Sequence, residues 1–431
     1  MPPRRPPGPV DDGASLLTSI RFYRDMTRDS LGTMRRRFER YGDLYFNVSR
    51  GDPLFVTRHP DHAYQVLVSG AKAFGKRSDL EPFLGQGLLE ANGAVWRRQR
   101  RLMQPSFSAQ RIAAYRDMMI EETEKRITTW SDGETRDIDG DMMALTLAIV
   151  SRALFSHEAD DAETVSKVMT VFQEAATGLD LFPSWLPTPL HRRQAAALKA
   201  MDDLVYGVID GRDIDQDHED LLQDLLRASD AEGGMSRKQV RDELVTMFLA
   251  GHETTSLALM WTFYLLAQHP EIEARVHEEV AAAESFDRLP FTANVLKESM
   301  RLYPPAYVVP RVAVEDTELG GYTLERGAEV VVWIYFCHHD ERWFTEPERF
   351  DPDRFAEGSD RVKHPHAYLP FGAGSRTCIG RHFASFEAQL LLATIVKRFS
   401  LSLAPDAKVA MNPRITLGAK HGMKMVVRDR G

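Results

Sequence analysis

The chain has 431 residues, of which 43% are hydrophobic and 27% charged, and its formal net charge is −9. These values are typical of a globular protein and exclude a disordered or collagen-like chain. The acidic balance argues against a nucleic-acid partner. Two cysteines are too few for a disulfide framework, which favours a reducing, cytoplasmic location.

Residues 1–15 are predicted to form an extended arm, because five of the first nine residues are proline. This start also lacks the apolar stretch of a signal peptide. Residues 244–266 are the most apolar segment, but a membrane span needs about 18–20 apolar residues, and here the polar residues 252–256 would fall at its centre. We therefore expect neither a membrane anchor nor a membrane span.

The pattern of apolar residues predicts a mainly α-helical protein with small β-sheets. Apolar positions recur at three- and four-residue spacing in the helical segments and alternate in the strands. In chain order, the predicted elements are strands at 43–50 and 52–59 joined at Arg50-Gly51, a mostly helical stretch over about 95–300, strand-like sequence at 322–336 with Cys337 assigned to a strand, a helix at 383–399 and a hairpin at 413–427. No repeat or low-complexity linker divides the chain, which predicts a single domain over residues 1–431.

One long helix is predicted to run through the middle of the protein. Ser236 and Gln239 form an S-x-x-Q capping box at its start, and Pro270 closes it after His269. The more than thirty residues between these signals correspond to roughly 50 Å of helix. Because most of them are apolar, the helix should cross the core.

The sequence AGHETTS, residues 250–256, interrupts this apolar helix. A glycine inside a helix costs about 1 kcal/mol relative to alanine, and five polar residues follow Gly251. A polar cluster at a helix break would be the structural explanation. The apolar helical sequence on both sides argues against a break, so the segment is a candidate functional site.

The loop FGAGSRTCIG, residues 371–380, places a cysteine among three glycines. Glycines at this density indicate a tight loop whose backbone approaches its neighbours closely. Cys378 would lie just before a helix that begins near Gly380, where the helix N-terminus and Arg376 favour the thiolate. Taken alone, Cys378 is either a buried cysteine in a turn, which is the more common case, or a metal ligand.

The ten-residue pattern Phe-Gly-x-Gly-x-Arg-x-Cys-x-Gly resembles the haem-binding loop of the cytochrome P450 family. The resemblance implies a P450-type fold with a long central helix over the haem, and haem b (iron protoporphyrin IX) as the cofactor. It implies that Cys378 is the axial thiolate ligand of the iron. Phe371 would pack near the sulfur, Arg376 would bind a haem propionate, and Gly380 would complete the loop.

The segment WRRQR resembles the family's second propionate-binding segment. Trp96 and Arg100 lie four residues apart on one helix face, and the resemblance implies that both contact a propionate. A solvated basic helix is the alternative. Arg311 in YPPAYVVPR is implied as a further propionate partner. The other arginines of the first segment are expected to be exposed: Arg97, Arg98 and Arg101.

Glu298 and Arg301 in KESMR lie three residues apart on a helix. An ordinary surface ion pair, worth little, is one explanation. The resemblance implies instead a buried network that includes an arginine from a later loop. Arg354 in DPDRF is the preferred third member because of its spacing to the cysteine loop, and Arg349 in EPERF is a second candidate.

AGHETTS resembles the family's oxygen-activation motif, (Ala/Gly)-Gly-x-(Asp/Glu)-Thr-(Thr/Ser). The resemblance implies that Ala250 and Gly251 leave room for the haem and dioxygen. Thr254 would place its hydroxyl near the oxygen, and it can also bond a carbonyl in the preceding turn. Glu253 would pass protons from solvent. His252 occupies a variable position, where a solvated or hydrogen-bonded side chain without a catalytic role is expected.

Because Glu253 and Thr254 are both present, the resemblance implies a monooxygenase that inserts one oxygen atom from O2 into an apolar molecule by hydroxylation or epoxidation. A haem-binding sensor or carrier without turnover is the alternative from another class. A haem-free cysteine hydrolase using Cys378 and His382 is a third possibility. The acid–threonine pair argues against the sensor, and the other motifs argue against the hydrolase.

The partners implied are a lipophilic substrate and a separate electron donor. The chain carries no flavin or iron–sulfur domain, so electrons should come from a ferredoxin or flavodoxin-type carrier with its reductase. Our hypothesis is that Arg97, Arg98 and Arg101 help to form its basic docking patch.

Apolar side chains predict a pocket for a fatty acid, terpenoid, steroid or polyketide, although each of them singly is more often plain core. The segment LFPSWLPTP, residues 181–189, is expected to be a mobile lid because its prolines prevent a continuous helix. The candidate pocket residues are Leu80, Phe83, Leu84, Phe172, Leu181, Phe182, Phe248, Val308, Val309 and Thr416.

Overall fold

The computed structural model describes residues 5–9, 16–49, 51–77, 80–156, 168, 171, 186, 188–213, 215–216, 220–230 and 235–431. Its helices are α1 (Leu16–Arg28), α2 (Ser30–Tyr41), α3 (Pro60–Tyr64), α4 (Glu81–Leu84), α5 (Gly93–Met103), α6 (Ala109–Ala114), α7 (Arg116–Ile127), α8 (Ile138–Phe155), α9 (Pro189–Gly211), α10 (Leu221–Asp230), α11 (Arg237–Gln268), α12 (Pro270–Ala282), α13 (Pro290–Leu302), α14 (Ile334–His338) and α15 (Arg381–Arg398). The strands are β1 (Leu44–Ser49), β2 (Asp52–Thr57), β3 (Phe74–Gly75), β4 (Thr135–Asp137), β5 (Val309–Ala313), β6 (Thr317–Leu319), β7 (Tyr322–Leu324), β8 (Glu329–Val332), β9 (Phe399–Leu403), β10 (Met411–Pro413), β11 (Leu417–Ala419) and β12 (Lys424–Asp429). Short 3₁₀ segments lie at Ala71–Ala73, Gln104–Phe107, Pro352–Phe355 and Gly374–Arg376, and a π-helical turn lies at Gln65–Ser69.

The expectation of a mainly helical protein with small sheets is confirmed. The chain divides into two compact units, the first formed by Met1–Arg77 and Lys297–Cys378, the second by Ser78–Leu296 and Ile379–Gly431. The single-domain organisation stays a prediction. Among the described helices, none is long and apolar enough to cross a membrane.

The first unit is built on a five-stranded sheet of order β1-β2-β8-β5-β3. The predicted hairpin is its edge: β1 and β2 pair antiparallel, and Gly51 at the turn has a φ of 90°. The strand β8 joins β2 in parallel register, whereas β5 pairs with β8 antiparallel. The apolar side chains of the sheet, such as Phe55 and Val330, pack into one core cluster.

The assignment of Cys337 to a strand is wrong. The chain leaves the sheet after Val332, and Trp333 N donates to Thr57 O at 2.8 Å. The helix α14 follows and carries Cys337 with a fully buried side chain. A short apolar run does not distinguish a buried strand from a buried helical turn, because both lack an exposed face. Burial also raises the pKa of this thiol.

The second unit is organised around α11, the predicted central helix. The capping box is present, since the Ser236 hydroxyl accepts from Gln239 N and the Gln239 side chain accepts from Ser236 N. The helix continues for 32 residues without a break and ends at Gln268, just before α12 begins at Pro270. Its predicted bounds are therefore confirmed.

Most of α11 is buried, because other elements of its unit cover it. It packs against α8, where Thr146 Oγ1 donates to His252 O at 2.9 Å. The hairpin of β10 and β11 is tied to it by Trp261, whose Nε1 donates to Leu417 O at 2.8 Å. A three-stranded sheet of order β4-β12-β9 completes the unit. These contacts hold the AGHETTS segment between α8 and the hairpin.

Two predicted segments lie largely outside the described residues. Only residues 5–9 of the proline-rich arm are described, and there Pro7 O accepts from Phe46 N at 3.1 Å at the edge of the first sheet. Of the predicted lid at 181–189, the structure describes residues 186, 188 and 189, and α9 begins at the last of these.

Candidate active site

The cysteine loop of the first unit is held by its own backbone. Cys378 N donates to Phe371 O at 3.0 Å. Gly374 has a φ of 71°, and a Cβ built there would lie 1.9 Å from Leu67 O. Only glycine satisfies both requirements, since the left-handed conformation and the close approach exclude a side chain. The loop presents Cys378 with an exposed side chain. Gly380 then caps α15, as expected from the sequence.

Two arginines of the first unit form a cationic pair: Arg376 belongs to this loop, and Arg311 lies close to it. Arg311 is buried, at 7% exposure, and its Nη1 donates to Pro310 O at 2.8 Å. Burial, with a smaller contribution from the Arg376 charge, lowers its pKa to about 10. Within the described part of the chain, no carboxylate forms a salt bridge with Arg311. A buried cation of this kind requires an anion.

The Glu298 carboxylate lies at the centre of a buried charged network in the same unit. It accepts from Arg301 Nε and Nη2 at 2.8 Å each, from Arg354 Nε at 3.3 Å and from Asp351 N at 3.1 Å. Arg349 contributes its carbonyl, which accepts from Arg301 at 3.2 Å, and its side chain is exposed. The third side chain at Glu298 is therefore that of Arg354.

In the second unit, Trp96 and Arg100 lie on α5 and line an open cleft of about 710 Å³ together with Arg97 and Arg101. Three guanidinium groups make this cleft cationic. Arg98 departs from the expectation that it is exposed. It is half-buried, and its Nη2 donates to Gln239 Oε1 at 2.8 Å, because it lies on the side of α5 that faces α11.

The AGHETTS segment, residues 250–256, forms about two turns of the unbroken helix α11. Thr254 Oγ1 donates to Ala250 O at 2.8 Å, as the sequence suggested. Ala250 is exposed, whereas Gly251 faces α8, where a Cβ would lie 3.1 Å from Val150 Cγ2. A side chain at position 251 would therefore press on Val150, a tight contact between two helices that the motif alone does not reveal.

Glu253 has a contact that sequence reasoning missed. Its side chain is buried, and Thr416 Oγ1 donates to Glu253 Oε1 at 2.9 Å. The Trp261–Leu417 hydrogen bond fixes the neighbouring residue of the hairpin, so Thr416 is held in place. Asp139 of α8 has a pKa raised to about 6, first by burial and then by the charges of Asp137 and Glu253. The sequence predicts Thr416 only as a residue of the substrate pocket.

His252 is buried and hydrogen-bonded rather than solvated. Its Nδ1 lies 2.7 Å from Phe248 O, and burial lowers its pKa to about 4. The ring is therefore neutral at neutral pH. Of the two expected states of this side chain, solvated or hydrogen-bonded, the structure shows the hydrogen-bonded one, and the absence of a catalytic role stays a prediction.

The apolar pocket candidates occur in both units. In the second unit, Leu84 and Phe248 are buried in one core cluster, and Leu80 and Phe83 pack against it. In the first unit, Val308 and Val309 are half-buried. The remaining candidates lie outside the described residues: Phe172, Leu181 and Phe182.

These residues fit a haem. The first unit offers an exposed thiol, the kind of soft ligand that binds haem iron in P450-type proteins. The same unit holds the buried Arg311 beside Arg376. Guanidinium groups suit the two carboxylates of a haem. The donor set therefore matches both the metal and the anionic edge of the group.

Comparison with known proteins gives a consistent result. The family model for cytochrome P450 matches residues 6–423. Cyclooctatin synthase of Streptomyces melanosporofaciens is 35% identical, over 88% of this chain and 87% of that protein. Cyclooctat-9-en-7-ol 5-monooxygenase of the same organism is 36% identical over 85% and 84%. The crystal structure of the cytochrome P450DA haem domain superposes with a TM-score of 0.84 at 27% identity and covers 94% of each chain.

The chain belongs to the cytochrome P450 family. Its similarity to a named monooxygenase extends over most of its length, and the family's members are haem enzymes. A more distant relative, a cytokinin hydroxylase of Arabidopsis thaliana, is 32% identical over 90% of this chain and 81% of its own. The protein is therefore a P450 monooxygenase with a mainly helical P450 fold.

Proposed function

We propose that this monooxygenase inserts one oxygen atom from O2 into a C–H or C=C bond of a terpenoid or a similarly apolar molecule. The observation that carries the proposal is the exposed Cys378 thiol, held in a glycine-bound loop beside a buried cation that needs an anion. Family membership adds the reaction type.

The proposed cofactor is haem b. Cys378 would ligate the iron as the thiolate, and Phe371 and Gly380 would shape the loop around it. The proposed propionate partners are Trp96, Arg100, Arg311 and Arg376. When bound, the haem supplies the iron at which dioxygen is activated. The protein supplies the ligand, the cations and the protons.

Glu253 and Thr254 are proposed to manage those protons. The Thr254 hydroxyl donates to Ala250 O, so its own oxygen remains able to accept a proton donor. The Glu253 carboxylate is held by Thr416 and is nearly excluded from solvent. An acid in this setting can pass a proton to a neighbouring water or hydroxyl without being displaced from its position. Ala250 leaves the adjacent surface open.

The proposed substrate is lipophilic. Leu84 and Phe248 of the second unit provide apolar side chains that pack in one cluster. Of the substrate classes expected from the sequence, the names of two relatives favour a terpenoid over a fatty acid, steroid or polyketide. A cytoplasmic location is proposed with the same function.

The proposed electron donor is a ferredoxin or flavodoxin-type protein with its reductase, and it docks at the exposed arginines of α5. Arg97 and Arg101 are exposed there. Charge reversal in R97E/R101E should slow reduction by the carrier, with a smaller difference from wild type at high salt. The exposed pair Lys199 and Asp203 offers a control in K199E. Unchanged turnover in R97E/R101E would refute the docking site.

The first experiment is a titration of the purified ferric protein with terpenes, fatty acids, steroids and macrolides, followed by turnover with a surrogate ferredoxin and reductase. A shift of the Soret band with terpenes and an oxygenated product support the proposal. C378S should lose the thiolate-haem spectrum, whereas C337S, at the buried cysteine, should keep it. A wild-type protein without a thiolate-haem spectrum would contradict the assignment of Cys378.

A further inference from the structure

Three consecutive residues of α11 hold the segment 83–88 through its backbone. Arg241 Nη1 donates to Phe83 O at 3.2 Å, Asp242 Oδ2 accepts from Gln86 N at 2.9 Å, and Glu243 Oε2 accepts from Leu88 N at 2.9 Å. We call this set, Arg241 to Glu243 with residues 83–88, the clasp. All its members belong to the second unit.

Two glycines let the segment approach α11 more closely than any other residue would allow. Gly85 has a φ of 55°, and a Cβ there would lie 2.2 Å from the carboxylate of Asp242. A Cβ at Gly87 would lie 2.0 Å from Thr246 Oγ1 and 2.6 Å from Asp242 O. Real Cβ atoms do not approach so closely, so the distance between the segment and the helix depends on both glycines.

The negative charges of the two acids of the clasp are neutralised differently. Asp242 is fully buried and forms salt bridges with Lys238 at 2.8 Å and Arg241 at 3.0 Å. Glu243 is equally buried, but its Oε1 has no hydrogen-bond partner among the described residues. Burial raises its pKa to about 8, although the Leu88 hydrogen bond lowers it in part. Glu243 is therefore a neutral acid at pH 7.

The clasped segment carries apolar side chains that face the core of the unit. Leu84 is buried beside Phe248 in one cluster, and Phe83 packs against that cluster. Because backbone contacts at three points determine where this segment lies, they also determine how far Phe83 and Leu84 reach. A buried hydrogen bond to a backbone N–H is costly to break, so the position is fixed rather than adaptable.

We propose that Asp242 and Glu243 are specificity-determining positioning residues: they fix residues 83–88, which carry the predicted pocket residues Phe83 and Leu84, and so decide which bulky apolar molecules the enzyme accepts. The role in specificity rests on the proposed monooxygenase function. The clasp itself does not depend on that function. Neither residue needs to touch the substrate.

The test compares D242A and E243L with E243Q and D210N. Leucine at 243 removes the acceptor for Leu88 N, whereas glutamine keeps an acceptor and matches the neutral acid. Asp210 of α9 forms an exposed ion pair with Arg237, which lies on α11 like Asp242 and Glu243, and Asp210 has no recorded contact with the segment 83–88. Hydrogen exchange followed by mass spectrometry reports on the amides of Gln86 and Leu88. Haem-band titrations with clotrimazole, a bulky apolar azole, and with imidazole report on the pocket.

We expect hydrogen exchange at residues 86–88 to be about tenfold faster in D242A and E243L, which is the scale of one buried hydrogen bond. Affinity for clotrimazole should change about tenfold in the same variants and affinity for imidazole less than twofold. E243Q and D210N should match wild type in both measurements. Because E243Q keeps the acceptor for Leu88 N, wild-type behaviour of this variant would show that the effects of E243L arise from the lost hydrogen bond and not from misfolding caused by any substitution at this position.

Three results would overturn parts of the inference separately. Unchanged exchange in D242A and E243L refutes the clasp. Faster exchange with unchanged clotrimazole affinity, or a wild type that binds clotrimazole no better than imidazole, refutes the role in specificity. A wild-type protein without a haem band refutes the proposed function instead, while the exchange experiment still decides whether the clasp exists.

Discussion

Glu298 of the first unit and Glu387 of the second are buried to the same extent, but their negative charges are neutralised in different ways: cations surround Glu298, whereas Glu387 keeps a proton. Glu298 is surrounded by the guanidinium groups of Arg301 and Arg354 and also accepts from Asp351 N. Glu387, on α15, has the Thr255 side chain as a hydrogen-bond partner, and its Oε1 has no partner in the described structure. Burial raises its pKa to about 8.

The difference shows how similar buried carboxyl groups come to serve different purposes. A carboxylate that receives two cations and a backbone donor has its charge compensated by fixed groups, so it can only hold the structure together. A carboxyl group without a cation is compensated by a proton instead, which makes its charge depend on pH. Glu243 belongs to the second kind.

The first prediction breaks the cation-compensated site. In E298Q, two guanidinium groups stay buried without their carboxylate, so we expect the free energy of unfolding to fall by about 3–5 kcal/mol. Urea denaturation of the haem-loaded protein measures it. The control is R349A, whose exposed ion pair with Glu346 is worth at most about 1 kcal/mol. Equal stability of the two variants would show that the network is not what stabilises this unit.

The second prediction concerns the proton-compensated site. Glu387 keeps its proton up to a pH of about 8, whereas in the unfolded chain it loses it near 4.5. Between these values the unfolded state binds fewer protons, so stability falls as the pH rises, by up to about 1.4 kcal/mol per pH unit, and then levels off. E387Q lacks this loss. Its stability relative to wild type should therefore rise from pH 6 to 8 and remain constant above.

The matched control for this experiment is E284Q, at an exposed glutamate. Its difference in stability from wild type should not vary over that pH range. Parallel curves for E387Q and wild type would mean that Glu387 is ionised in the folded protein. That result would remove the distinction between the two kinds of buried acid.

Local sequence signals predicted the fold well where the structure depends on neighbours in the chain. The capping box of Ser236 and Gln239, the stop at Pro270 and the hairpin at Gly51 each depend on residues only a few positions apart. The strand assigned at Cys337 failed because a short, fully buried apolar run has no exposed face from which to read its period.

Candidate site residues could be named from motifs, but their partners could not. Thr416 and Glu253 are 163 positions apart, and Leu88 and Glu243 are 155 apart. Such contacts depend on how whole elements pack, which no local pattern encodes. Gly251 shows the same limit, because its close contact with Val150 of α8 is a tertiary feature inside a motif with another apparent purpose.

The third prediction tests whether Glu253, an acid near the proposed chemistry, depends on its hydrogen bond from the Thr416 hydroxyl. In T416V the donor to Glu253 is lost without a change of shape, so the share of electrons released as peroxide should rise about two- to tenfold. This range corresponds to a hydrogen bond of about 0.5–1.5 kcal/mol. T416S should restore coupling. Peroxide and product are measured in the same turnover.

The control for Thr416 is T262V. The Thr262 hydroxyl is buried on the same helix, but it donates to Ala258 O of its own turn at 2.7 Å and does not touch Glu253. It should leave coupling unchanged. If T262V and T416V release the same amount of peroxide, the effect arises from disturbed packing of α11 and not from Glu253.

The smallest effect is expected at His252, which extends the comparison from buried acids to a buried base. Burial without a carboxylate lowers its pKa to about 4, so the ring is neutral from about pH 5.5 upward. H252F should therefore leave the pH–rate profile unchanged between pH 5.5 and 9 and cost about 1 kcal/mol of stability, from the lost contact with Phe248 O. The contribution of His252 to stability should be lost as the pH falls from about 6.5 to 4 in wild type but not in H252F, because there the unfolded state binds the extra proton first. A limb of the profile near pH 6.5 that disappears in H252F would show that the ring titrates in the folded enzyme. In that case burial alone would not decide which side chains around α11 carry charge.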